Sequence, residues 1–293
     1  MPDCQQGAAI KTHPDKSATN QASGVYDRMN IVVCVKQVPG TTEVKMNKET
    51  NTIIREGVES IINPFDMHAV EESLRIKERL GGKVTVLSMG IPSVAELLKT
   101  TIGLGVDDAV LLSDRAFAGA DTLATSYALS MGIRKIGNVD LVICGKQATD
   151  GDTAQVGPSL AEKLGWPHTT YVRKIEEINE KFIRCQRMTD DGYEVIEMPL
   201  PAVITVVKEI NEPRLPSLKN MMRAKKAVVN VWTADDIGAD KNLCGLKGSP
   251  TQVVQTFVPV HEVRSEMIEG NAEEQARKLA DKLLSMQFPA GRR

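Results

Sequence analysis

From Met29 onward, apolar runs of strand length alternate with stretches of helical periodicity, and this alternation restricts the possible folds more than any other feature of the chain. Strands that alternate with helices connect through right-handed crossovers and build a parallel sheet covered on both faces. Residues 30–36 (NIVVCVK) form the first continuous apolar run, rich in β-branched side chains. A small hairpin is expected next, with arms at 44–46 and 52–54. The following helix carries strong signals: Asn63 as cap, Pro64 at the first helical position, Asp66 at the positive end and Gly81-Gly82 as stop. Strands at 83–89, 108–112 and 140–145 then alternate with helices at about 93–103, 121–135 and 153–164. The expected fold is α/β, with a doubly wound, mostly parallel sheet.

After Pro167 the rhythm changes. Residues 168–175, 181–188 and 193–198 read as strands separated by turn clusters, which predicts an antiparallel meander, and 202–207 rejoins the sheet. Residues 241–261 contain Gly, Pro and Ser with little periodicity. They lead to a lone helix at 272–286 with Leu279 and Leu283 on its apolar face. The organisation predicted is a disordered or expression-derived extension over 1–28, a nucleotide-binding α/β domain over 29–240, and a C-terminal helical arm over 241–293 that packs on another chain. The 1–28 segment has neither the apolar stretch of a signal peptide nor the acid-poor composition of a transit peptide.

Composition removes several classes of function. A formal net charge of −2 gives no global basic field for nucleic acid. No apolar run approaches the ~20 residues that cross a bilayer, which predicts a soluble protein with no membrane insertion. Five scattered cysteines without a CxxC pair argue against a disulfide scaffold or zinc site and suit a reducing, cytoplasmic compartment. The four histidines are too dispersed for a metal motif.

In an open parallel sheet, ligands bind beyond the carboxyl ends of the strands, where the winding reverses. Four loops end at that edge. The most informative follows the fourth strand: Gly145-Lys146-Gln147-Ala148-Thr149-Asp150-Gly151-Asp152-Thr153-Ala154-Gln155. Its small residues permit close backbone approach, its threonines add hydroxyls, and the helix after it points free N–H groups at the same place, which suits a phosphate. An ordinary strand-to-helix turn capped by Asp152 would use the same residues. Other candidates fail. Gly103-Leu104-Gly105 precedes a strand, the wrong order for a dinucleotide fingerprint, so a self-sufficient NAD dehydrogenase lacks support. Gly145-Lys146 lacks the rest of a P-loop, and nothing brings a nucleophile to a base.

Several segments together resemble a known family. VCVKQVP, NPFDMHAVEESLRIKE, LVICGKQATDGDTAQVGP and NEPRLPSLKNMMRAKK are similar to landmarks of electron-transfer flavoprotein β subunits, in the same order, over residues 29 to about 287. The stretch 187–205 resembles the family signature, with Cys185 where a small aliphatic residue is usual.

The resemblance implies an adenine-nucleotide hydrolase-like domain that works beside an α subunit with its own FAD. It implies nucleotide contacts from Cys34, Asn63, Phe65, Asp66, Met89 and the 145–156 loop through Val156. Within the family, DRAFAGADTLATS and DGDTAQVGP resemble the electron-bifurcating branch, which holds a complete FAD and takes hydride from NADH; the housekeeping branch holds a structural AMP. FAD is therefore the expected cofactor, with Arg115, Asp121 and Thr122 near the flavin end. The chain would be an oxidoreductase subunit that sends one electron to ferredoxin or flavodoxin. The other would go through the α-subunit FAD to an acyl-CoA-type or 2-hydroxy-acid dehydrogenase. Leu218, on a surface loop stiffened by Pro213 and Pro216, matches the family's hydrophobic anchor for that dehydrogenase. A nucleotide-binding module similar to universal-stress proteins is the rival class, and its fold would be the same.

Overall fold

The computed structural model describes residues 29–40, 46–47, 52–53, 60–254 and 265–286. The expected extension at 1–28, parts of both arms of the expected hairpin and residues 255–264 and 287–293 of the arm lie outside the described residues. In chain order the strands are β1 (Met29–Cys34), β2 (Gln37–Pro39), β3 (Met46–Asn47), β4 (Thr52–Ile53), β5 (Ser60–Ile62), β6 (Gly82–Met89) and β7 (Asp108–Leu112). They continue with β8 (Leu141–Gly145), β9 (His168–Ile178), β10 (Phe182–Thr189), β11 (Gly192–Pro199), β12 (Ala202–Val206) and β13 (Asn230–Trp232). The helices are α1 (Pro64–Leu80), α2 (Val94–Leu104), α3 (Thr122–Ile136), α4 (Val156–Leu164), α5 (Leu218–Lys226) and α6 (Ala272–Ser285).

Nine strands form one sheet in the order β11-β10-β9-β12-β8-β1-β6-β7-β13. Pairs from β9 to β13 through the centre are parallel, and β9-β10-β11 is the expected antiparallel meander. The chain winds outward from β1 to β6 and β7, then returns to place β8 on the other side of β1. The winding therefore reverses between β1 and β8. Alternate residues along β1 and just past it serve opposite layers, as the two-residue period of a strand requires. Ile31, Val33 and Val35 pack with α1 and α2, while Val32 and Cys34 pack with α3 and α4. Burial on both faces explains why these strands read as unbroken apolar runs.

The doubly wound α/β architecture is as expected, and the differences are local. α4 begins at Val156, not near Thr153: Gln155 occupies the cap position, and Asp152 (φ 49°) and Ala154 (φ 53°) adopt left-handed backbone that keeps the loop out of the helix. Asp152 therefore does not cap α4. α5 and β13 are elements the periodicity did not reveal. The first compact unit runs on through Gln252, beyond residue 240, because Cys244 and Ser249 are buried against it. Described residues from Val253 onward group separately. There α6 starts from a capping box in which Asn271 and Glu274 exchange side-chain and backbone bonds.

The junction from α1 to β6 depends on two glycines with positive φ. Gly81 (φ 77°) ends the helix in open space, whereas a Cβ on Gly82 (φ 118°) would overlap the Met29 carbonyl oxygen. With ψ at 176°, Gly81 sits in a region essentially reserved for glycine, so Gly81→Ala should cost about 1–3 kcal/mol of backbone strain. Gly82→Ala should cost more, because β1 and β6 must also separate. Urea unfolding of both variants checks the order, which equal midpoints would contradict.

Candidate functional site

The reversal between β1 and β8 leaves two strand ends diverging at one edge, and the first turn of α1 fills the gap. Pro64 starts the helix, so Asp66 falls inside the first turn and points back between the two strands. Its Oδ2 accepts from the Lys36 N–H at 2.8 Å and its Oδ1 from the Gly145 N–H at 3.2 Å. Gly145 has to be glycine here, since a Cβ would overlap Asp66 Oδ1. Burial raises the Asp66 carboxyl to about 7, even though both N–H donors favour the ionised form.

Asn63 works one level further out. It holds the cap position of α1, but its side chain makes no cap bond. Its Nδ2 instead donates to the Gln147 carbonyl at 2.8 Å, and its Oδ1 accepts from the Thr149 N–H at 3.2 Å. The expected cap is thus redirected to the β8–α4 loop. That loop is also held by Lys36 Nζ, which donates to both Asp150 oxygens at 2.6 and 2.8 Å, and by Gln147 Nε2, which donates to Asp152 Oδ1 at 2.7 Å. Lys146 Nζ lies 5.3 Å from the Phe65 ring centre and 5.5 Å from that of Tyr171. Cys34 and Cys144 are register partners in adjacent strands, both buried. Hydrogen bonding with Cys34, followed by burial, pushes the Cys144 thiol well above its usual range.

The residues selected from the sequence fall into two groups and two single positions. Cys34, Asn63, Phe65, Asp66 and residues 145–156 converge on the switch point. Arg115, Asp121 and Thr122 lie in the loop after β7 and the start of α3. Asp121 caps α3, accepting from the Leu123 and Ala124 N–H groups, and its second oxygen accepts from Thr251 N–H. Burial would raise its carboxyl, but these donors outweigh it and hold the group below the usual carboxylate range. Met89 ends β6, between the two groups in the strand order. Leu218 belongs to neither: it is the first residue of α5, capped by Ser217, and not a residue of a loop. Sequence reasoning did not select Lys36, Tyr171 or Ser249 as site residues. Only the position of Lys36 directly after a strand could have drawn attention to it.

The donor set fits an anionic group such as the phosphates of a nucleotide. No side chain caps α4, so its first N–H groups face the loop; Lys146 adds positive charge beside it, while Lys36 is already paired with Asp150. A Cβ placed on Gly151 would meet nothing within 4 Å, so the backbone there is open to close approach. Fold and site together define a doubly wound α/β protein with an anion-favouring loop at its switch point.

Comparison with known proteins narrows this. Residues 50–237 match the electron transfer flavoprotein domain. The electron transfer flavoprotein subunit beta of Thermoanaerobacterium thermosaccharolyticum is 53% identical over 259 residues, covering 88% of this chain and 98% of the relative. Subunit CarD of the caffeyl-CoA reductase-Etf complex of Acetobacterium woodii is 49% identical, covering 87% and 98%. Protein FixA of Bradyrhizobium diazoefficiens is 43% identical, covering 86% and 90%. The chain belongs to the electron transfer flavoprotein family, among its β subunits. Among the described residues, no helix is long and apolar enough to cross a membrane.

The raised Asp66 carboxyl has a consequence for stability. The folded state holds a proton there that the unfolded chain releases near pH 4, so Asp66 contributes stability that is complete below about pH 4 and is lost as pH rises through about 7. Asp66→Asn should flatten the pH dependence of the urea midpoint between pH 4 and 7. An unchanged slope would mean that another group carries it.

Proposed function

We propose that this chain is the FAD-holding β subunit of a heterodimeric electron-transfer flavoprotein of the bifurcating kind. In this reading it works beside an α subunit that carries a second FAD, and NADH is the electron donor. One electron goes to ferredoxin or flavodoxin. The other goes through the α-subunit FAD to a partner dehydrogenase, of which an acyl-CoA-type enzyme is the best fit and a 2-hydroxy-acid dehydrogenase the alternative. The observation that carries the reading is the β8–α4 loop at the switch point, with an uncapped helix behind it and Lys36 and Lys146 beside it. Its DGDTAQVGP sequence resembles the FAD-holding branch, and likeness to a subunit of a caffeyl-CoA reductase-Etf complex supports a role in such an assembly.

When bound, FAD would supply the hydride acceptor and the electron relay, chemistry that no side chain offers. The protein's part is to bind and orient. Residues 145–156 would hold adenosine and phosphates through backbone N–H groups and the Thr149 and Thr153 hydroxyls. The loop of Arg115, with Asp121 and Thr122, would lie toward the flavin end, its shape kept by the Asp121 cap and the bond from Asp121 N–H to Ser249 Oγ at 2.8 Å. Leu218, 77% exposed, would be the hydrophobic anchor for the dehydrogenase. The same loop also fits AMP, as the housekeeping branch requires, and cofactor content separates the two.

Acid extraction of the purified heterodimer should release two FAD and no AMP. One FAD with stoichiometric AMP would move the chain to the housekeeping branch and leave the family unchanged. A protein binding only AMP or ATP, without flavin in either subunit, would favour the stress-protein-like module.

Docking through Leu218 is tested separately. Burying one leucine contributes about 1.5–3 kcal/mol, or roughly ten- to hundredfold in affinity. Leu218→Ala should therefore raise the KM for the dehydrogenase by about that factor at an unchanged limiting rate. Loss of the limiting rate with KM unaltered would make Leu218 structural.

A further inference from the structure

The segment from β12 to α5 carries an exposed apolar tip, Leu215 at 89% and Leu218 at 77% exposure, and it is held from behind by α1. Asn211 Nδ2 donates to the His68 carbonyl and to a Glu72 oxygen, both at 3.0 Å. One residue on, the Glu212 carbonyl accepts from Arg75 Nη2 at 3.3 Å. Arg214 makes the strongest tie. Its Nε donates to Glu71 Oε2 at 2.7 Å and its backbone N–H to the same oxygen at 3.2 Å. Its Nη2 reaches Glu71 Oε1 at 3.2 Å and Glu78 Oε2 at 3.1 Å, and its Nη1 donates to Glu78 as well.

Residues 71, 75 and 78 share one face of α1, so the guanidinium lies along the helix with a carboxylate at each end. Glu71 is 4% exposed and divides its oxygens between Arg214 and Arg75, whose Nε donates to Oε1 at 2.7 Å, so loss of Arg214 would leave a buried carboxylate only partly paired, which is unfavourable. The tie is therefore one the fold resists breaking. Beyond the tip, Arg223 Nη2 donates to the carbonyls of Ile102 at 3.1 Å and Val106 at 2.6 Å. Leu215 and Leu218 thus lie between two pinned points, with Leu215 next in the chain to Arg214.

We propose that Arg214 is a positioning residue for docking: forked between Glu71 and Glu78, it fixes the direction in which Leu215 and Leu218 project toward the partner dehydrogenase. This rests on the docking role of Leu218 proposed above. A tip already held in its bound direction loses less freedom when it docks, and affinity rises accordingly. A planar fork can satisfy both glutamates at once, whereas a lysine ammonium offers a point charge without that geometry.

The test uses the intact heterodimer with an acyl-CoA dehydrogenase as acceptor. Arg214→Lys should raise the KM for the dehydrogenase about three- to tenfold at an unchanged limiting rate, and hydrogen exchange of the amides of residues 214, 215 and 217–222 should quicken. Combining it with Leu218→Ala should raise KM by less than the product of the two single effects, because only Leu215 is then left to direct. Glu78→Gln, at a residue whose side chain is 59% exposed, should act in the same sense and serves if Arg214→Lys folds poorly. If Leu218→Ala raises KM while Arg214→Lys and Glu78→Gln leave it unchanged, or if the effects multiply, the positioning role is wrong and the docking role survives. If Leu218→Ala has no effect either, both fall.

Discussion

Two parallel strands whose chains part in opposite directions leave backbone N–H groups with no strand to receive them, and Asp66 resolves this for β1 and β8. One carboxylate spans the divergence, taking the Lys36 N–H on one oxygen and the Gly145 N–H on the other. Everything around the site follows from that arrangement. Pro64 has to start α1 where it does for Asp66 to reach the gap, and residue 145 has to lack a Cβ for the carboxylate to fit. Asn63 then repeats the same service for the next loop residues, using both ends of its amide. The result is a strand edge with its own polar groups satisfied from one side, leaving the loop's outer backbone and the α4 N-terminus for a ligand.

Much of this was legible in the sequence, for a specific reason. Strands buried on both faces must be apolar throughout, so β1, β6, β7 and β8 announce themselves as runs, and α1 and α3 carry recognisable caps and stops. The strand at 108–112 and the start of α3 after Asp121 fall where the pattern puts them. α5 escaped because its apolar residues do not face a core: Leu218, Met221 and Met222 are exposed, and only Ala224 is buried. β13 escaped because three residues, two of them exposed, give no periodicity.

The site was legible as a region more than as a set of contacts. Asn63 looked like a helix cap, because that residue type before Pro usually is one, yet the nearby loop offers its amide both a donor and an acceptor and takes it over. Asp152 looked like a cap for α4 for the same reason, but left-handed backbone at 152 and 154 delays the helix by about a turn. Bonds such as Lys36 to Asp150 join residues 114 apart in sequence, and no local pattern encodes such a pairing.

α1 therefore does two jobs along its length. Its first turn, with Asn63 before it, organises the switch point. Its next turns, through His68, Glu71, Glu72, Arg75 and Glu78, hold the segment that displays Leu215 and Leu218. A partner docked at that tip would then lie at a separation from the switch point set by the helix itself. The sequence secures that separation by placing both sets of polar side chains on one uninterrupted run from Pro64 to Leu80.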